Sequence, residues 1–230
     1  MDPDPWQADV LRSDALRILL NCCRQSGKSQ TAAVKAVHCA TYEPGSLILL
    51  LSPSQRQSAE LFLKVLAVYR ALGRPVPSSA ESATTLVLEN GSRVCSLPGT
   101  DSTVRSFSSV RLLIVDEAAR VEDATYFATS PMLAVSGGQM IALSTPAGPT
   151  GWWAKAWEEG KDFERYRVPA SDVPRIPASF LASERALLGP HAYSAEYECA
   201  FVAGSFTLFD EADLKAMFTT DFAPLFPEGV

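Results

Sequence analysis

The stretch RILLNCCRQSGKSQTAA, Arg17 to Ala33, runs from an apolar segment into Gly27-Lys28-Ser29 and then at once into a helical pattern. Strand, turn and helix in that order read as a phosphate-binding loop. Small residues at the turn let backbone N–H groups face the β- and γ-phosphates of a nucleotide. Lys28 supplies a mobile cation, and the Ser29 hydroxyl can ligate Mg²⁺. The helix starting near Ser29 adds the positive end of its dipole. The usual pattern has Gly five residues before Gly27, where this chain has Cys22, so the tripeptide needs support from a second motif.

That support comes from Arg111 to Ala119, RLLIVDEAA, in which apolar residues run without alternation into two adjacent carboxylates. Continuous apolarity suits a strand covered on both faces of a parallel sheet. Unpaired charges cannot be buried in such a strand, so Asp116 and Glu117 belong at its carboxyl end, in the crevice where open α/β sheets bind ligands. There they face the phosphate loop. Asp116 is suited to the Mg²⁺ shell, and Glu117 can polarise a water in line with the γ-phosphate, which favours hydrolysis over binding alone. Taken without the upstream loop, the same two acids could simply stabilise a helix N-terminus.

The chain has 230 residues, 47% of them hydrophobic and 20% charged, which permits a full α/β core in one main domain. No apolar run approaches the ~20 residues of a membrane span. The first residues, MDPDPWQADV, are acidic where a secretory signal would be basic and apolar, so a cytosolic protein is expected. Cys22, Cys23, Cys39, Cys95 and Cys199 form an odd set with no C-x-x-C, and His38 and His191 lack metal-ligand spacing to them. Neither a zinc site nor a disulfide frame is expected. The cysteines read as small buried hydrophobes and the histidines as helix-surface or cap residues. With 20 Lys plus Arg against 26 Asp plus Glu, the charge of −6 provides no global basic footprint, so any contact with DNA must be local, weak or shared among subunits.

Along the chain, PWQADVLRS reads as a short helix capped by Asp4 with Pro5 at its first position. A strand at Arg17 to Asn21, a helix from Ser29 to about Ala40 and a central strand at Ser46 to Ser52 follow. Pro53 opens a helix to about Leu72, with Leu61, Val65, Val68 and Leu72 as core contacts and Gly73 as its stop. A loop at Pro75 to Ser79 precedes TTLVLENGSRVCSL, a hairpin about Asn90-Gly91. A helix near Ala124 to Ala134, the strand QMIALSTP, the helix WWAKAWEEG and the strand FERYRVPA come next. Two helices, Ser179 to Leu188 and Ala192 to Glu198, end the periodic pattern. Alternating strands and helices predict a mostly parallel sheet with right-handed crossovers.

With these pieces in order, the chain resembles the ATPase domain of the large terminase subunit of tailed bacteriophages, the motor that packs DNA into the procapsid. The likeness spans nearly all of the chain. The family tolerates a first loop position other than Gly and has an Arg four residues before the Lys, here Arg24. It implies an α/β P-loop NTPase of the additional-strand, catalytic-glutamate type, with a mostly parallel central sheet flanked by helices and a small helical lid. The implied division is an ATPase core at 1–170, a lid at 171–205 and a linker toward a nuclease domain at 206–230. The implied nucleotide contacts are Gln7, Arg24, Gln25, Ser26, Gly27, Lys28, Ser29 and Gln30, with Ser29 and Asp116 on Mg²⁺. Lys28, Arg24 and Glu117 would serve catalysis of ATP hydrolysis.

Trp6-Gln7 resembles the family's adenine-binding glutamine motif, and an amide can donate to and accept from an adenine edge; otherwise Gln7 is a solvated helix residue. Ser144-Thr145-Pro146 resembles the coupling motif, although Ser144 and Thr145 could merely end a strand. TPAGPTGWWAKAW and EYECAF also look like family signatures, and Trp152, Trp153 and Trp157 are expected to pack a lid. Arg105 lies twelve residues before Glu117 in the polar stretch DSTVRSFSS. In the family an Arg of this region reaches the neighbouring subunit's ATP site, with Arg111 and Arg120 as rival candidates here.

The resemblance implies double-stranded DNA, the portal protein of the procapsid and the small terminase subunit as partners, in the host cytoplasm and away from membranes. It also implies a homo-oligomeric ring on the portal, a pentamer by family likeness, with a monomer in isolation. Family members continue into an RNase H-like nuclease, and no nuclease activity is expected from this chain alone; Asp210, Glu211 and Asp213 read as a helix cap in the linker. Two other readings stay open: another P-loop DNA-dependent or helicase-like ATPase, and a nucleotide-gated assembly module without useful turnover.

Overall fold

In a computed structural model that describes residues 2–98, 107–202 and 217, the apolar runs become the strands of one eight-stranded sheet. They are β1 (Arg17–Cys22), β2 (Leu47–Ser52), β3 (Ser78–Glu81), β4 (Thr85–Leu88), β5 (Arg93–Pro98), β6 (Leu112–Asp116), β7 (Gln139–Ser144) and β8 (Glu164–Val168). Their spatial order is β3-β4-β5-β2-β6-β7-β1-β8. From β5 to β8 every pairing is parallel, and β3, β4 and β5 add an antiparallel edge that contains the expected hairpin. The extra strand β7 separates the loop strand β1 from the acid strand β6. Two inter-strand spacings, about 10 Å in all, therefore lie between the two motifs.

Parallel strands covered on both sides should be apolar throughout, and β2 is buried at every residue. Successive side chains alternate faces. Ile18, Leu20, Ile48, Leu50 and Ile114 join one core with α2 (Lys28–Tyr42) and α3 (Gln55–Ala71). Leu19, Leu49, Leu113 and Val115 join a second core on the other face, with Trp152 and Trp153 of α5 (Gly151–Glu159). The tryptophans expected to pack a lid thus brace the sheet. Trp152 stacks on Tyr126 at 4.1 Å between ring centroids and donates through Nε1 to the Val121 carbonyl at 3.0 Å.

Local chemistry explains where the remaining elements differ from expectation. The Ser54 hydroxyl accepts from the Gln57 N–H, so α3 begins at Gln55 rather than Pro53. Leu61, Val65 and Val68 are buried, whereas Leu72 sits past the last turn and is 60% exposed. The helix expected near Ala124 is α4 (Asp123–Thr129), which tightens into a 3₁₀ turn at Ser130–Leu133, where Pro131 brings no N–H. Helix α6 (Ala178–Tyr197) contains a non-helical Gly189 followed by Pro190, so it consists of the two expected segments joined at a kink. Part of the expected loop at Pro75 to Ser79 is the edge strand β3, largely exposed and hence without apolar alternation to announce it.

The first helix, α1 (Pro5–Arg12), starts as expected at Asp4, and Gln7 completes a capping box. All five cysteines are buried, and burial pushes the Cys23 thiol up to about 11 and that of Cys199 to about 12. Both histidines are exposed. Among the described residues no helix is long and apolar enough to cross a membrane. Arg105 and the acids Asp210, Glu211 and Asp213 lie outside the described residues, as does the 206–230 interval apart from Met217.

Candidate active site

The site forms where β1, β6 and β7 end. β1 continues through Cys22, which pairs with Val168 of β8 and is fully buried, and the Cys23 N–H donates to the Val168 carbonyl at 3.0 Å. The chain is still a strand where the usual motif has its first Gly, so no special backbone freedom is needed there. Past Arg24 the loop turns through two left-handed residues, Gln25 (φ 60) and Gly27 (φ 94). Left-handed residues set among right-handed ones turn successive N–H groups toward a common anion, the geometry of a nest. At position 27 the left-handed φ itself disfavours any residue with a Cβ, and a Cβ there would displace the Gln7 amide, 2.6 Å away. Gly27 is the N-cap of α2 and offers no side chain to cap it, so the helix presents free N–H donors to a phosphate.

Lys28 and Ser29 are the first residues of α2. The Ser29 Oγ donates to Asp116 Oδ2 at 3.3 Å, and Asp116, the last residue of β6, is 8% exposed. Burial and the neighbouring Glu117 charge push the Asp116 carboxyl above the usual aspartate range, with Lys28 pulling the other way. A buried carboxylate beside a hydroxyl is the donor chemistry of Mg²⁺, which takes one or two protein oxygens and completes its shell with phosphate and water. Among the described residues no cluster of three or more His, Cys, Asp or Glu could hold a metal unaided. Ser29 and Asp116 supply two oxygen donors in contact, a set that fits Mg²⁺ only with further ligands from elsewhere.

Glu117 turns the chain out of the strand with φ 51, ahead of a 3₁₀ turn at Ala118–Arg120. Its carboxylate lies 4.0 Å from Lys28 Nζ and pairs with Arg120 at 2.8 Å. Arg120 Nη1 also reaches Thr145 Oγ1 at 3.4 Å, just past the end of β7, so the expected coupling residue touches the partner of the acid. Ser144 is fully buried and its hydroxyl donates to the Thr145 carbonyl at 2.7 Å. Of the rival arginines, Arg120 thus sits in the chain's own site. Arg111 precedes β6 at the opposite end of the sheet and pairs with Glu43. Arg24 is turned outward, its side chain 64% exposed and its Nε 2.6 Å from Glu196 Oε2 on α6.

On the other side of the loop, a cavity of about 490 Å³ is lined by Pro3, Gln7, Leu11, Gly27, Thr31 and Val34, with Gln30 and Arg175 at its rim. Gln7 Oε1 accepts from the Asp4 N–H at 2.9 Å, and Nε2 donates to the Ser26 carbonyl at 3.3 Å. One N–H and one lone pair of the amide remain free for a ligand. A larger cavity of about 740 Å³ lies between α4 and α5. None of the loop or acid residues lines it, so the smaller cavity is the one continuous with the phosphate site. Sequence reasoning missed Arg175 and Glu196, which meet the loop from distant chain segments and belong to no local pattern.

A family model described as terminase large subunit, T4likevirus-type, N-terminal, matches residues 19–216. The chain belongs to this terminase family. The terminase large subunit of Thermus phage G20c is 26% identical over 92% of the chain and 51% of its own length. The chain thus spans about half the length of the curated relatives it matches. The Thermus phage P74-26 large terminase ATPase domain superposes with a TM-score of 0.77 at 23% identity, covering 87% of this chain and 94% of that one. The large terminase of another thermophilic bacteriophage, in complex with ADP, gives 0.75 at 12% identity, over 87% and 54%. The fold is that of large terminase ATPase domains, and the extra strand between the loop and acid strands agrees with the additional-strand P-loop type.

Proposed function

We propose that this chain hydrolyses ATP with Mg²⁺ as the motor domain of a phage large terminase, driving double-stranded DNA through a portal into a procapsid. The observation that carries the reading is the Ser29–Asp116 contact of 3.3 Å beside a Glu117 carboxylate 4.0 Å from Lys28. Phosphate-loop hydroxyl, strand-end aspartate and following glutamate converge on one point only if the loop and the acid pair serve one ligand. Backbone N–H groups at the start of α2 and the Lys28 ammonium hold the phosphates, and Glu117 orients the attacking water and draws on its proton. Ser29 and Asp116 would hold Mg²⁺, which would supply charge neutralisation at the phosphates. Gln7 offers its free N–H and lone pair to the adenine edge, Gln25, Ser26 and Gln30 complete the loop's contacts, and Arg24 exchanges Glu196 for phosphate.

Arg105 completes the site of the next subunit in a ring on the portal, with the small terminase subunit delivering DNA. The placements of Arg111 and Arg120 support this choice, since one is tied to Glu43 and the other to Glu117 within the same chain. Residues 171–205 act as the lid, and Thr145 couples phosphate chemistry to motion through Arg120.

The test is phosphate release by the chain alone, with double-stranded DNA, and with DNA plus portal. Slow basal turnover that DNA and portal raise is expected; no release in any arm overturns the reading. In assembled motors, a mixture of Arg105→Ala and Glu117→Ala chains should recover part of the lost turnover. No recovery in verified assemblies would remove Arg105 from the neighbour's site.

A further inference from the structure

Two donors converge on one carbonyl of the phosphate loop. The Ser26 oxygen accepts from Arg175 Nη2 at 3.0 Å and from Gln7 Nε2 at 3.3 Å. The same guanidinium is held in a fork by Asp4, with Nη1 to Oδ1 and Nη2 to Oδ2 both at 2.8 Å. Asp4 is 9% exposed and is also the N-cap of α1. Arg175 lies in the connection between β8 and α6. One side chain therefore ties three segments, the α1 cap, the phosphate loop and the lead-in to α6, across 171 residues of sequence.

The consequence follows from the peptide bond. A trans peptide is planar and points its C=O and the next N–H in opposite directions. Holding the Ser26 carbonyl outward aims the Gly27 N–H inward, toward the anion side of the nest. Without those donors the peptide can rotate, because Gly27 puts no steric limit on its own φ. Rotation would present a carbonyl oxygen where a phosphate must bind. A bidentate guanidinium–carboxylate pair is well suited to such a brace, since its planar fork fixes direction as well as distance.

We infer that Arg175, clamped by Asp4, is a positioning residue that presets the Ser26–Gly27 peptide for the polyphosphate of the nucleotide. This rests on the nucleotide-binding reading above. It also makes loop geometry depend on the segment leading into α6, so that displacing this segment would loosen the phosphate site.

The experiment is calorimetric titration of the wild-type chain, Arg175→Ala, Arg175→Lys and Asp4→Asn with Mg-ATP and with Mg-tripolyphosphate, which has no base. Each protein is first checked for cooperative unfolding well above the titration temperature. For Arg175→Ala, both ligands should weaken by the same factor, roughly tenfold, as expected for loss of a charge-assisted hydrogen bond. Asp4→Asn and Arg175→Lys should show the same pattern with a smaller loss, and they carry the test if Arg175→Ala does not fold. Weakening of ATP with tripolyphosphate unchanged would assign Arg175 to the base and overturn the inference. A lower unfolding temperature with both affinities unchanged would make it a structural clasp only, and would also overturn it. If the wild-type chain bound neither ligand, the nucleotide reading itself would fall, an outcome separate from unchanged affinities in the variants.

Discussion

The phosphate loop is flanked by two aspartates in opposite electrostatic states. On the sheet side, Asp116 is buried beside Glu117, and its carboxyl is pushed above the ordinary range by burial first and by that neighbour second. On the cavity side, Asp4 is held below it, first by its hydrogen bonds from Arg175 and against the pull of burial. The cavity flank is already neutralised by a cation of its own. The sheet flank is not: the one Lys28 cation lies between two acids, 4.0 Å from Glu117 and also acting on Asp116. On the proposed function, the difference separates a flank that shapes the loop from a flank that awaits a ligand, and it divides the expected effects of substitution accordingly.

The largest effect belongs to the sheet flank. Glu117→Gln should lower phosphate release by about 10²–10⁴, the span typical for a positioned general base, while nucleotide affinity stays within a few fold of the wild type. Lys28→Ala should do the reverse, weakening ATP by roughly 10- to 100-fold because it removes a charge-assisted contact to ground-state phosphate. Single-turnover hydrolysis alongside equilibrium titration separates the two. Equal losses of affinity in both variants would erase the distinction between water-orienting and phosphate-holding groups.

The two flanks also differ in how far they could be read from sequence. Gly27-Lys28-Ser29 follows the turn after buried strand β1, and Asp116 ends the apolar strand β6, so strand burial puts both motifs at one end of the sheet, while the place of β7 between them came from topology. Asp4 was legible as a helix cap, but a cap says nothing of which distant cation will neutralise it. Arg175 sits in an irregular segment with no periodicity, and nothing local to Arg24, a nucleotide contact implied by the family resemblance, indicates its Glu196 partner. Edge strand β3 escaped for a related reason, since exposed residues carry no burial pattern. What periodicity cannot express is a contact between two segments that are both polar and both irregular.

A smaller effect concerns stability of the nucleotide-free chain. The folded state holds a proton on Asp116 more readily than the unfolded chain does, so its ionisation disfavours folding, and stability falls as pH rises from the ordinary aspartate range through the raised folded value. Asp116→Asn removes that cost. At neutral pH the variant should unfold later than the wild type by on the order of 1 kcal/mol, the usual scale of stability recovered at a functional site, or about 2–4 °C for a domain of this size. Mg-ATP should then stabilise the wild type and fail to stabilise the variant. A variant less stable than the wild type at neutral pH would mean that Lys28 already satisfies Asp116, and the contrast between the flanks would vanish.

The smallest effect has the opposite sign and comes from the cavity flank. Because the Asp4 carboxyl is held below its ordinary value, its pair with Arg175 contributes stability that is fully present above the unfolded-state value and is lost as pH falls through the lowered folded value. Asp4→Asn should therefore be less stable than the wild type at neutral pH, and the gap should close in acid, where the wild type loses the same charge. Arg175 is 38% exposed at its side chain, so solvent screens the pair and the gap should stay under about 1 kcal/mol. Unfolding midpoints of both proteins from neutral pH down to pH values below the aspartate range provide the measurement. A gap independent of pH would assign the loss to something other than the Asp4 charge, since Asn serves the α1 cap about as well as Asp. A gap that widens in acid would contradict the lowered carboxyl, and with it the picture of a cavity flank neutralised before any nucleotide arrives.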